Sequence, residues 1–111
     1  MSTNLNSLNC TPCLGRTPKL ENDEISINLH KLTNWSINDE KKMIFKKFTF
    51  KSFKAALNFT NSVGDLAEKE GHHPDISLGW GYCLIMIHTH AIKRLSINDF
   101  ILASKIDLIT L

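Results

Sequence analysis

The chain has 111 residues and a formal net charge of +2; 42% of its residues are hydrophobic and 22% are charged. These values favour one globular domain and argue against a nucleic-acid-binding surface. No stretch reaches the ~20 apolar residues of a membrane span, and no secretory signal is recognisable, so we expect a cytoplasmic protein without a membrane partner. Small domains often gain stability by association, so a homodimer or homotetramer is expected.

The N-terminal part of the chain differs from the rest. Residues 1–20 are polar and interrupted by Pro12, Gly15 and Pro18, which predicts a loosely ordered arm. Residues 21–111 carry the periodic apolar patterns and are predicted to form a single domain.

A helix and two strands are predicted next. Apolar residues recur at spacings of three and four from Glu21 to Leu32, which indicates a short amphipathic helix. Trp35 is expected in a first strand. A second strand is predicted from Met43 to Phe50, where Lys46 interrupts an apolar face formed by Ile44, Phe48 and Phe50.

The longest helix is predicted between Ser52, a suitable N-terminal cap, and Glu70, with Gly71 as the terminating residue. Its buried stripe is expected to comprise Phe53, Ala56, Leu57, Thr60, Val63 and Ala67.

A hairpin and a last helix complete the pattern. Apolar segments from Ile76 to Leu78 and from Tyr82 to Ile87 flank the turn Gly79-Trp80-Gly81, and Ser96 precedes a helix that runs to about Leu108. The predicted order α-β-β-α-β-β-α implies an α+β fold, in which a four-stranded antiparallel sheet carries the helices on one face.

Three histidines are the candidate reactive groups. His72 and His73 follow the end of the long helix, and His90 follows the last strand. The entry to one hairpin strand lies beside the exit of the other, so the three rings can share one rim. Neutral imidazoles can bind catalytic zinc, but no H-x-x-x-H spacing supports this. They can also act as general acids and bases, a contribution of about 10²- to 10⁴-fold.

The ordered set of these residues resembles the pterin-4a-carbinolamine dehydratase family. The residues and segments that carry the resemblance are, in chain order, Trp35, Ile44–Phe50, Ala56–Phe59, Glu68, Gly71-His72-His73-Pro74, Trp80, His90 and Asn98–Ala103, which includes Asp99. Members of this family dehydrate the 4a-hydroxytetrahydropterin left by aromatic amino acid hydroxylases to quinonoid dihydropterin. The resemblance therefore implies a lyase that recycles a tetrahydrobiopterin-type cofactor of phenylalanine hydroxylation.

The resemblance also implies roles for individual residues. His72, His73 and His90 would be catalytic, with His72 and His90 transferring protons and His73 orienting the substrate. Glu68, Gly71, Thr89 and Asp99 would contribute to substrate binding. No metal and no cofactor is implied; the partners would be a pterin substrate and, functionally, an aromatic amino acid hydroxylase.

Several residues have a second explanation that the sequence leaves open. Asp99 lies three residues after Ser96, so it is equally well explained as part of a helix capping box, and Glu68 as a solvated helix residue. His88 has no partner at a useful spacing and is interpreted as structural. Cys10 and Cys13 have the spacing of a zinc or redox pair, but without a second pair a non-catalytic role is favoured and an intersubunit zinc site stays open.

Two other functional classes are compatible with the sequence. The first is a non-enzymatic dimerisation or interaction module, because some animal relatives also act as dimerisation partners of a transcription factor. The second is a zinc-dependent hydrolase, which would require stoichiometric zinc.

Overall fold

A four-stranded antiparallel sheet organises the fold. The computed structural model describes residues 5–11 and 18–109. The elements are a 3-10 turn, Leu5–Ser7, followed by α1 Asn22–His30, β1 Ser36–Ile37, β2 Ile44–Thr49, α2 Phe53–Glu70, β3 Asp75–Gly79, β4 Tyr82–Ile87 and α3 Ile97–Ile106. The strand order is β1-β2-β4-β3, and the predicted α+β fold and element order are confirmed. Among the described residues, no helix combines the length and apolar character needed to cross a bilayer.

The ends of α2 follow the predicted local signals. The Ser52 hydroxyl accepts a hydrogen bond from the Ala55 amide at 3.0 Å, and Gly71 ends the helix with a left-handed φ of 68°. A side chain at this φ would be strained, so glycine suits the position.

The prediction of which residues of α2 are buried is partly wrong. The buried residues are Ala56, Phe59, Val63 and Ala67. Phe53 and Leu57 are 46% and 38% exposed. Successive residues turn by about 100° around a helix, so the face centred on Ala56 and Val63 leaves Phe53 and Leu57 to one side and brings Phe59 inward.

The two faces of β4 differ in burial. Cys83, Ile85 and Ile87 are fully buried, whereas the residues between them are half-buried. The buried side chains form one core with Ile44 and Phe48 of β2 and with apolar residues of α2 and α3. The helices therefore cover one face of the sheet, and the β3–β4 hairpin is fixed firmly to that core.

Lys46 lies on the core-facing side of β2, where a lysine is unexpected. Its Nζ contacts Asp107 Oδ1 at 2.9 Å and the Thr33 carbonyl at 3.0 Å. The Trp35 indole also donates to Asp107, at 3.0 Å to Oδ2. The Lys46 and Asp107 side chains are only 16% and 22% exposed, so the carboxylate satisfies two poorly solvated donors.

We expect Asp107→Asn to destabilise the fold by about 1.5–3 kcal/mol, the usual range for hydrogen bonds to a charged group. Both partners of Asp107 are donors, and the introduced amide has one acceptor oxygen and no charge. Urea denaturation would measure the change. Asp39→Asn, at an exposed site, is the control and should stay within about 0.5 kcal/mol of wild type; equal effects of the two changes would contradict the prediction.

The described part of the N-terminal segment lies on the domain. Leu5 is 5% exposed, and Asn98 at the start of α3 pairs with the backbone of Thr11 at 2.8 and 3.0 Å. The Cys10 amide donates to Glu70 Oε1 at 3.0 Å. Cys13 lies outside the described residues. The division into an arm over 1–20 and a domain over 21–111 stays a prediction.

Candidate active site

The end of α2 gives the adjacent histidines different environments. The amides of Gly71 and His72 both donate to the Ala67 carbonyl, at 2.9 and 3.3 Å, which closes the helix with a sharp turn. His72 is 4% exposed, whereas His73 is exposed. The two rings are therefore suited to different tasks.

A buried carboxylate holds the His72 ring. Asp99 Oδ1 lies 2.6 Å from Nε2 of His72, and the Asp99 side chain has no exposed surface. An ionised carboxylate only accepts hydrogen bonds, so this contact places a proton on Nε2. Asp99 thereby fixes both the orientation and the tautomer of His72.

The second carboxylate oxygen of Asp99 caps the N-terminus of α3. Oδ2 accepts from the Ser96 amide and from the Thr89 hydroxyl, each at 2.8 Å, and the Thr89 and Ser96 hydroxyls are 2.7 Å apart. Asp99 is the third residue of α3 and forms a capping box with the N-cap residue Ser96. One side chain thus caps the helix and also contacts a candidate catalytic histidine.

The other two histidines lie at the surface. Nε2 of His73 contacts Oε2 of Glu68, one turn back on α2, and both side chains are largely exposed. His90 follows β4 and lies in the turn closed by the bridge between Thr89 and Arg94, and its ring packs on that of His88 with centroids 4.0 Å apart. The end of α2 and the end of β4 thus each present one histidine at the surface.

An open cleft of about 260 Å³ lies between the end of α2 and the end of β4. It is lined by Gly71, His72, His73, His90 and Ala91. The structure brings together the three predicted histidines and Gly71. Glu68 contacts His73, while the fully buried Thr89 and Asp99 form the network behind His72. Sequence reasoning missed Ala91, because a small apolar residue after a strand carries no signal of its own.

The interpretation of His88 changes with the structure. Its Nε2 lies 3.3 Å from Asp75 Oδ2, and its ring packs on His90. The His88-Thr89-His90 pattern could have indicated this, because alternate residues of an extended chain share a face. Asp75, from the neighbouring strand, could be found only once the strand register was known.

Comparison with known proteins identifies the family of this chain. The family profile described as pterin 4 alpha carbinolamine dehydratase matches residues 18–109. A relative from Methylococcus capsulatus, named provisionally as a pterin-4-alpha-carbinolamine dehydratase, is 44% identical over 103 residues, covering 93% of this chain and 90% of its own. The chain belongs to the pterin-4-alpha-carbinolamine dehydratase family.

Two solved structures share the fold. A transcriptional coactivator/pterin dehydratase from Brucella melitensis has a TM-score of 0.77 and 27% identity, over 81% of this chain and 96% of its own. A pterin dehydratase-like protein described as a RuBisCO assembly factor in the alpha-carboxysome has a TM-score of 0.58 and 25% identity. The match covers 68% of this chain and 87% of that protein's chain. Proteins named for different roles thus share this architecture, so a function must be argued from the site.

Proposed function

We propose that the protein dehydrates 4a-hydroxytetrahydropterin to quinonoid dihydropterin by histidine acid-base catalysis. The observation that carries the proposal is the cleft in which His72, His73 and His90 converge, with His72 oriented by the buried Asp99. Family membership supports the substrate class, and the three imidazoles suit the reaction.

The reaction requires two proton transfers. The bond between C4a and the hydroxyl oxygen breaks, and the hydroxyl group leaves as water after accepting a proton from a general acid. A general base removes the proton from N5, and a C4a–N5 double bond forms. The acid loses one proton and the base gains one, so exchange with solvent restores both after each turnover.

His72 and His90 are our candidates for these transfers. A positioned imidazole can donate or accept a proton near neutral pH. The negative charge of Asp99 beside Nε2 of His72 compensates the positive charge of the ring whenever it is protonated, as in other carboxylate–histidine pairs. His73, held by Glu68 at the rim, is assigned to orienting the pterin.

A catalytic zinc ion on the three cleft histidines is less favoured. Nε2 of His72 and Nε2 of His73 each contact a carboxylate, Asp99 and Glu68 respectively. Among the described residues, the ligand atoms of these three rings do not form a closely spaced group of the kind that holds a metal ion. Acid-base catalysis uses the rings in the arrangement they already have.

The test is the dehydration rate of freshly generated 4a-hydroxytetrahydropterin, followed by ultraviolet absorbance with and without the protein. We expect wild type to accelerate the decay, a chelator not to lower the rate, and His72→Ala and His90→Ala each to cost about 10²-fold or more. His30→Ala, on the exposed side of α1, is the histidine control. Folded wild-type protein that leaves the spontaneous rate unchanged would refute the enzymatic proposal.

The wider setting is part of the same proposal. An aromatic amino acid hydroxylase would supply the substrate, and the enzyme would work as a homodimer or homotetramer. The exposed apolar side chains of Phe53 and Leu57 on α2 support association. A purely non-enzymatic interaction module is less favoured, because such a role does not require three histidines around a cleft.

A further inference from the structure

A group of side chains whose types can bind metal ions lies beside the cleft, at the open end of the β3–β4 hairpin. Asp75 begins β3, His88 directly follows β4, and His90 lies two residues further on. Asp75 is paired with Met86 in the register of the two strands. Alternate residues of an extended chain share a face, so Asp75, His88 and His90 project to the same side of the sheet.

The separations in this group approach those of a metal site. One ligand atom from each residue lies within 4.8 Å of the others, and Asp75 Oδ2 is 3.3 Å from His88 Nε2. With zinc–ligand bonds of about 2.0–2.2 Å in tetrahedral geometry, neighbouring ligand atoms are about 3.3 Å apart. Asp75 and His88 are already at that distance. His90 is exposed, so a small rotation of its ring would complete the set.

We propose that Asp75, His88 and His90 form a binding site for a divalent transition-metal ion of the zinc class. A surface ion pair would account for Asp75 and His88 alone. An ion pair does not account for the second imidazole, which packs 4.0 Å from the first and has a ring nitrogen within 4.8 Å of the other two ligand atoms. Two imidazoles and one carboxylate are a known zinc ligand set that leaves a fourth position open, and imidazole favours zinc, copper or nickel over magnesium.

Occupancy of this site would act on the cleft, because His90 belongs to both. An imidazole that binds a metal ion through one nitrogen carries its proton on the other and has no lone pair left to accept a second proton, so the metal would inhibit dehydration rather than assist it. This consequence rests on the proposed function, whereas metal binding itself does not. His88 does not line the cleft, so it can be replaced to separate the two properties.

Binding is tested by calorimetric titration of tag-free, chelator-treated protein with zinc chloride and, in parallel, magnesium chloride. We expect one zinc ion per chain and no magnesium binding. His88→Phe keeps a planar ring against His90 but lacks the ligand nitrogen. Loss of a residue that only supports a metal ligand costs about 10- to 100-fold in metal affinity. His88→Phe and Asp75→Asn each remove a direct ligand, so each should weaken zinc binding at least tenfold. His30→Phe, an exposed histidine on α1, should bind zinc like wild type.

The dehydration assay then tests the coupling to catalysis. Zinc at saturating concentration should slow wild type at least tenfold, while His88→Phe should need at least tenfold more zinc for the same inhibition. Absence of zinc binding, or equal binding by His88→Phe, overturns the site whatever the assay shows. Zinc binding without a slower rate overturns the inhibition. If metal-free wild type does not accelerate dehydration, the proposed function fails, and the titration still decides the site.

Discussion

Asp99→Asn is expected to lower kcat for the dehydration by about 10²- to 10⁴-fold, the range spanned by acid-base groups and by carboxylates that orient them. Both oxygens of Asp99 face donors: His72 on one side, Ser96 and Thr89 on the other. The introduced amide has one acceptor oxygen. If its NH₂ group faces His72, the ring must adopt the opposite tautomer; if it faces Ser96, two donors oppose each other at the helix cap.

The control separates lost catalysis from lost stability. Asn98 is the neighbouring residue of α3, is 1% exposed and holds Thr11 rather than a histidine. Asn98→Ala should therefore destabilise the fold by about 1–3 kcal/mol with little change in kcat. kcat, its pH profile and the urea midpoint would be measured for both variants. If Asp99→Asn were destabilised but retained wild-type kcat and pH profile, Asp99 would be a helix cap and nothing more.

Glu70→Ala is expected to destabilise the fold by about 3–5 kcal/mol at neutral pH, as when one partner of a buried ion pair is removed. The Glu70 and Lys105 side chains are 5% and 14% exposed, with 2.9 Å between Oε2 and Nζ. The other carboxylate oxygen accepts from the Cys10 amide at 3.0 Å. The change would leave Lys105 without its charged partner and would release the N-terminal segment from α2.

The effect of Glu70 should depend on pH in a defined direction. Burial raises the pKa of Glu70, but the hydrogen bond from the Cys10 amide and the bond and charge of Lys105 outweigh it, so the pKa lies below its ordinary value of 4.5. A lowered pKa in the folded state contributes stability above pH 4.5, which is lost as the pH falls through the folded-state pKa. The difference in unfolding free energy between wild type and Glu70→Ala should therefore narrow in acid.

Chemical denaturation at pH 7 and at several values below 4.5 would measure this. Asp65→Ala removes an exposed carboxylate from the same helix and should change stability by less than about 0.5 kcal/mol. A difference for Glu70→Ala that stays constant or widens in acid would show that its carboxylate does not act through its charge.

Features with local causes could be predicted from the sequence. Ser52 and Gly71 mark the ends of α2 because a cap and a left-handed residue act within one helical turn. Gly81 marks the hairpin because its φ of 79° suits glycine. These elements, with their alternating apolar residues, were enough to place the three histidines near one another.

Features that join distant residues could not be predicted. The partner of Lys46 is 61 residues away, and the contact between His72 and Asp99 spans 27 residues. The Asp75–His88 contact requires the register of β3 on β4. The wrong assignment of Phe53 and Leu57 has a similar origin, because periodicity identifies an apolar side of a helix but not the exact direction of the core.

The double role of Asp99 also bears on when the candidate site forms during protein synthesis. The chain emerges from the ribosome with its N-terminal part first, so His72 is synthesised well before the residue that orients it. The first turn of α3 must dock and bring Asp99 beneath the ring before His72 acquires its fixed tautomer. Nascent chains that contain all three histidines but lack α3 would thus have an incomplete site, and the proposed activity would appear only when the last helix is in place.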